Sequence, residues 1–289
     1  MKAICSRCCF SLLTLLMTGL LPVSAQAADA VAEMGERSVG IVRMGPPTPD
    51  TCFWTEREFT DLPEHGPRMA KGLILWNHGQ DGAGRATWHR GAPPIIRLFA
   101  DDGWDVVLLQ RNERCQGSWP RKGGEYVANL RSQVELAKKR GYRKILVAGQ
   151  SFGAGTALGV GETVGSIDGV LAFALSHGRG ACRAGYSAEA IKFHQREIEY
   201  AIDRNTVPRV LISMGKNDHC EGHTFTSMIS SALAQKELAY IHFDESMEIP
   251  GHSAATTREF SRLYGKCVKA FFESDEHARR GRHVCDPLR

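Results

Sequence analysis

Short apolar, β-branched runs alternate with helical patterns along most of this chain, and that alternation constrains its fold most. Strand candidates are Val39-Gly40-Ile41-Val42, Cys52 to Phe59, Gly72 to Trp76 and Asp105 to Leu109. They continue with Lys144 to Ala148, Val170 to Ala174, Arg209 to Met214 and Ala239 to Phe243. The later runs are continuously apolar, as expected of parallel strands covered on both faces. Helical patterns lie between them. The clearest spans Gly124 to Arg140, where Val127, Leu130, Val134 and Ala137 recur at helical spacing and Gly141 ends the run. Others follow Ser151 and cover Phe225 to Lys236 and Thr256 to Phe272. Such interleaving predicts the α/β class: a mostly parallel eight-stranded sheet flanked by helices, with right-handed crossovers. The first two strands have no helix between them, which leaves an antiparallel pairing open at one edge.

The interval from Gly178 to Pro208 is longer than a simple crossover needs. Its segment Ala188 to Arg204 has a helical pattern carrying Ile191, Phe193, Ile198 and Ile202. It reads either as a helix plus a small cap (178–208) over the active edge, or as a covering helix with a long loop. With no repeat, low-complexity tract or linker, residues 28–289 read as one domain. The charged stretch 274–289 is expected to be a loosely packed extension, tied down through Cys285.

The N-terminus bears on the compartment. Lys2 and Arg7 precede the apolar run Phe10 to Leu21, and Pro22 and Ser24-Ala25-Gln26-Ala27 follow. Charged, apolar and small-residue segments in that order mark residues 1–27 as a secretory signal peptide. The run is too short for a good transmembrane helix, which needs about 20 apolar residues. The expectation is a secreted or periplasmic protein without a stable membrane span after cleavage. The formal charge of +4 falls to +2 without Lys2 and Arg7. Its basic residues are scattered, with no aromatic-interleaved stripe, which argues against a nucleic-acid partner.

Cysteine usage agrees with export. Three of the nine cysteines (Cys5, Cys8 and Cys9) leave with the signal. Cys52, Cys115, Cys182, Cys220, Cys267 and Cys285 remain, enough for up to three disulfides whose pairing the sequence leaves open. No CxxC pair remains to suggest a zinc ribbon or a thioredoxin-type redox site.

The chemistry centres on Gly149-Gln150-Ser151-Phe152-Gly153, a G-x-S-x-G pattern that counts only in the right structural context. That context is present: Lys144 to Ala148 reads as a buried strand, and Ala154 to Gly159 starts a helix. A serine at so sharp a turn needs an unusual backbone, and glycines two residues to either side remove the clashes. The helix N-terminus adds free N–H groups near a developing oxyanion. Upstream, the strand Leu73 to Trp76 runs into Asn77-His78-Gly79-Gln80-Asp81-Gly82. Acyl transfer needs two backbone donors aimed at the tetrahedral oxygen. Phe152 and Gln80 are the candidates, with His78 a structural residue of the turn.

On His78-Gly79, Gly149-x-Ser151-x-Gly153 and the order of the strands and loops downstream of them, the chain resembles the α/β-hydrolase superfamily, in its dienelactone-hydrolase-like and esterase branch. The likeness runs from about Gly40 to Phe272. It implies a triad in the chain order serine, acid, histidine. Val210 to Met214 leading into Gly215-Lys216-Asn217-Asp218 looks like the acid strand and turn, giving Asp218. Ala239 to Phe243 and then Pro250-Gly251-His252-Ser253 give His252 as the base. The implied protein is an exported serine hydrolase acting on a small-molecule ester or acyl substrate, without a cofactor or metal. Asp244, Glu245 and Glu248 are alternative acids.

Two other readings compete. Asp218, His219 and His223 include an H-x-x-x-H pair that a helix face could present to zinc, although this is not H-E-x-x-H. A catalytically inactive binding protein of the same fold is the other. Arg111, Arg114, Arg179 and Arg183 follow strands and are candidates for a substrate carboxylate. Trp76, Trp88, Trp104 and Trp119 could line a pocket or simply pack.

Overall fold

Five consecutive residues of Leu73–Asn77 are buried, and so are five each in Asp105–Leu109, Gly169–Phe173, Arg209–Ser213 and Ala239–Phe243. Strands this completely covered must have helices on both faces. The computed structural model describes residues 41–43, 65–79, 91–109, 119–162, 167–176, 188–220, 224–244, 246–247, 249–275 and 279–288. Its strands are β1 (Ile41–Arg43), β2 (Leu73–Asn77), β3 (Asp105–Leu109), β4 (Ile145–Gln150), β5 (Gly169–Phe173), β6 (Arg209–Ser213), β7 (Ala239–Phe243) and β8 (Gly281–Arg282). They form one eight-stranded sheet in the order β1-β3-β2-β4-β5-β6-β7-β8, and every described pairing is parallel.

Seven helices accompany these strands among the described residues: α1 (Gly66–Met69), α2 (Pro94–Ala100), α3 (Trp119–Lys139), α4 (Phe152–Val160), α5 (Ala188–Asp203), α6 (Thr224–Ala234) and α7 (Arg258–Glu273). Side chains alternate along a strand, so each strand feeds two cores. Leu73, Leu75, Val147, Val170 and Ile212 pack with Leu130 and Val134 of α3, Leu158 of α4, Ile198 and Ile202 of α5 and Ile229 of α6. Ile74, Val106, Leu146, Leu171 and Ile241 face the opposite way, against Ile95 and Phe99 of α2 and Phe260, Val268 and Phe272 of α7. α5 therefore covers the sheet. The segment 177–187, where a cap would begin, lies outside the described residues. Among those described, no helix is long and apolar enough to cross a membrane.

Two expectations change at the edges. β1 pairs parallel with β3, which removes the antiparallel option for that strand, while Cys52 to Phe59 lies outside the described residues. The tail is not loose: β8 pairs with the open edge of β7, with Ala239 opposite Gly281 and Tyr240 opposite Arg282. The backbone N–H of His283 donates to Tyr240 at 2.7 Å, and a Cys267–Cys285 disulfide ties the tail to α7. An unpaired strand edge offers donors and acceptors to any nearby chain, and the disulfide holds this one there. Trp76 and Trp104 are core residues at 5% and 1% exposure, while Trp88 lies outside the described residues.

Candidate active site

β4 ends at Gln150 and α4 begins at Phe152, so Ser151 alone makes the turn from strand to helix. Its backbone sits at φ 55° and ψ −121°, a region that L-residues rarely occupy. Close packing explains the flanking glycines. A Cβ on Gly149 would lie 2.2 Å from the Gly153 carbonyl oxygen, and one on Gly153 would lie 2.3 Å from that of Asn77. The second contact also sets the Asn77-His78-Gly79 turn directly against the serine elbow. The Ser151 N–H donates to the Phe173 carbonyl at 2.9 Å, which pins the elbow to the neighbouring strand. Phe152 packs edge-on against Tyr126, with ring centroids 5.2 Å apart. Ser151 itself is buried.

Backbone strain collects at this edge of the sheet. Among the described residues, Ser151, Ala174 and Asn217 are the non-glycine positions with positive φ. Each lies just beyond the C-terminal end of a strand: β4, β5 and β6. Such conformations cost of order 1–3 kcal/mol each and persist where the surroundings impose them, often at functional sites.

Asp218 and His252 meet at the same edge. The His252 Nδ1 lies 2.9 Å from each carboxylate oxygen of Asp218. A carboxylate only accepts, so Nδ1 carries the proton and Nε2 presents its lone pair. Nε2 is buried and has no hydrogen-bond partner among the described residues. The acid is held in turn: Oδ1 accepts from the Cys220 N–H at 2.8 Å, and the Asp218 N–H donates to the Gly215 carbonyl at 3.1 Å. Backbone also joins the turn bearing Asp218 to the loop bearing His252. Lys216 and Pro250 form an isolated parallel bridge, and the Gly251 N–H donates to the Lys216 carbonyl at 2.6 Å.

The alternative acid Asp244 is engaged elsewhere. Its Oδ1 accepts from the Ser246 N–H at 2.9 Å and from the Ser246 hydroxyl, and its Oδ2 pairs with Arg282 at 3.6 Å. The Ser246 bonds and the neighbouring His242 and Arg282 hold its carboxyl below the usual range, against the upward push of burial. Glu245 and Glu248 lie outside the described residues. So do Gln80, the second oxyanion candidate, and Arg111, Arg114, Arg179 and Arg183. His78 is buried, and its Nδ1 donates to the Gly79 carbonyl at 2.7 Å, the geometry of a turn residue.

The residues of the metal reading fit a metal poorly. Asp218, His219 and Cys220 bring ligand atoms within 4.8 Å of one another. Cys220, however, is disulfide-bonded and offers no thiolate, and the Asp218 carboxylate is taken up by His252 and the Cys220 N–H. His223 lies outside the described residues. The exposed His219 ring instead stands edge-on to the His252 ring, with centroids 5.8 Å apart. A cavity of about 650 Å³ lies away from the triad candidates, between β7, α7 and the tail.

One residue of this edge had no role in the sequence reading. The Gln150 Nε2 donates to the His252 carbonyl at 3.2 Å across 102 residues of chain. The long amide beside the serine was visible in the sequence; its partner was not.

A parallel sheet covered on both faces, with a serine elbow after β4 and an acid and a histidine after β6 and β7, is the α/β-hydrolase fold. Solved structures bear this out. The chain is similar to a Paleococcus ferrophilus monoacylglycerol lipase, at 14% identity and a TM-score of 0.52 over 71% of this chain and 95% of that one. A Pyrococcus furiosus esterase matches at 14% identity and a TM-score of 0.52, over 81% of this chain and 98% of that one. A truncated carbohydrate esterase from gut microbiota matches at 15% identity and 0.51, over 75% and 88%. No protein-family model matches the chain, and no curated protein does.

Proposed function

We propose that this protein is an exported serine hydrolase that cleaves an ester or related acyl bond. The observation that carries the proposal is the His252–Asp218 contact: an imidazole with Nδ1 on a buried carboxylate and a buried Nε2 without a hydrogen-bond partner among the described residues. The esterase and lipase structures of the same fold support this reading. Described disulfide bonding at Cys220, Cys267 and Cys285 supports export.

In the proposed reaction, the Ser151 oxygen attacks the substrate carbonyl and its proton passes to His252 Nε2. Asp218 keeps the ring in the right tautomer and stabilises the imidazolium. Backbone N–H groups of Phe152, at the positive end of α4, and of Gln80 receive the oxyanion. The intermediate collapses as the leaving alcohol takes the proton from Nε2, leaving an acyl-serine. Water then attacks, giving its proton to Nε2, and the acid departs as that proton returns to Ser151.

The substrate test is a panel of acyl esters of graded chain length, assayed with the signal-free protein and with Ser151→Ala. One length range turned over by the native protein, and no turnover by Ser151→Ala, is the expected result. Equal turnover by the two proteins contradicts the mechanism.

A further inference from the structure

The acid and the base share a backbone frame, whereas the nucleophile strand reaches the base loop through a side chain. Gln150 is the last residue of β4, and the alternation of the strand turns its side chain toward the α7 face, where the base loop enters its helix. Its Nε2 holds the His252 carbonyl at 3.2 Å. Its Oε1 lies over Gly79, where an added Cβ would come within 2.1 Å of it and within 3.2 Å of the Ser151 Cβ. One amide thus touches the three pieces that acyl transfer must align: the serine elbow, the turn leading to Gln80 and the loop bearing His252.

Resting on the serine-hydrolase reading, we infer that Gln150 is a positioning residue that ties the His252 loop to the Ser151 strand and so fixes the reach from His252 Nε2 to the serine. The His252 ring is fixed at Nδ1 by Asp218, which governs its tilt about the acid but not the distance between base loop and nucleophile strand. Without the Gln150 amide, the His252 carbonyl loses this donor, and the loop can move with its acid as a unit. A displacement of about 1 Å in such an arrangement is enough to cost up to roughly 10²-fold in rate.

The test compares the native protein with Gln150→Met, which keeps the length and loses the amide, and with Gln150→Glu, which keeps the length and adds a charge. Ser151 is probed with a fluorophosphonate, steady-state kinetics use the best ester of the panel, and thermal midpoints report folding. Gln150→Met is expected to slow labelling and kcat by about 10- to 10²-fold, with KM within about twofold and an unchanged thermal midpoint. In Gln150→Glu, a carboxylate has no proton to give the His252 carbonyl, so labelling and kcat are expected to fall at least as far as in Gln150→Met. Labelling by Gln150→Met within about twofold of native overturns the inference, as does a loss that tracks the unfolded fraction. An unlabelled native protein overturns the hydrolase reading instead. The backbone amide resonances of Gly251 to Ala254 then decide the positioning role, staying in place in Gln150→Met if the inference is wrong and moving if it is right.

Discussion

His242 and His252 bond through the same ring atom to partners of different chemistry. His242, on β7, faces α6, and its Nδ1 is hydrogen-bonded to the Ser230 hydroxyl at 2.8 Å. His252, in the loop beyond, has its Nδ1 on the Asp218 carboxylate at 2.9 Å. Both keep a buried Nε2 with no hydrogen-bond partner among the described residues. A hydroxyl cannot offset a second proton on an imidazole, and burial pushes the His242 pKa down to about 4. A carboxylate can, because its charge stabilises the imidazolium that a general base must become. An unsatisfied ring nitrogen is therefore no sign of a base by itself; the group on the other nitrogen decides whether a proton can be received. Strain separates the regions as well, since Ser151, Ala174 and Asn217 surround the His252 edge while His242 lies within a regular strand.

Replacing Asp218 by Asn makes the environment of His252 more like that of His242. The expected loss in kcat is roughly 10⁴-fold, because the ring is no longer held in its tautomer or stabilised when protonated. Stopped-flow or steady-state measurement of ester cleavage checks it, and circular dichroism confirms the fold.

The structural histidine predicts a stability effect instead. The folded pKa of His242 is about 4 against an ordinary 6.5, so the unfolded chain takes up the proton first. The contribution of His242 is fully present above about pH 6.5 and is lost as pH falls toward 4, at about 1.4 kcal/mol per pH unit. Urea midpoints between pH 7 and pH 4.5 measure this slope, and His242→Gln is expected to flatten it. The smallest effect is that of Ser230→Ala, which removes the Nδ1 partner of His242. It is expected to cost about 1 kcal/mol in stability while Ser151 labels at the native rate.

The parts of this architecture readable from the sequence are those with a local signature. Val147 and Val170 lie in apolar runs long enough to announce covered strands, and Gly149 and Gly153 are spaced by the steric needs of one turn. Asp218 and His252 were legible only through the resemblance to the α/β-hydrolases, whose triad order points to the turns after β6 and β7; the parallel sheet brings those turns to one edge. β8 had no such signature: Gly281-Arg282 has no apolar run and pairs because β7 leaves an edge open and Cys285 is tied to Cys267. The contact of Gln150 with the His252 carbonyl is equally silent, since a single amide carries no pattern that names a partner 102 residues away. Helix α3 begins at Trp119, ahead of the periodic segment from Gly124; Pro120, Arg121 and Lys122 give its first turn no apolar periodicity to read.

In the proposed reaction Ser151 is a nucleophile activated by His252. Incubation of the folded, signal-free protein with a fluorophosphonate, followed by peptide mass mapping, tests it directly. One adduct is expected, on Ser151, formed at native speed only when Asp218 and His252 are intact. No adduct on Ser151 in folded protein, or the same labelling rate in His252→Ala, would contradict it.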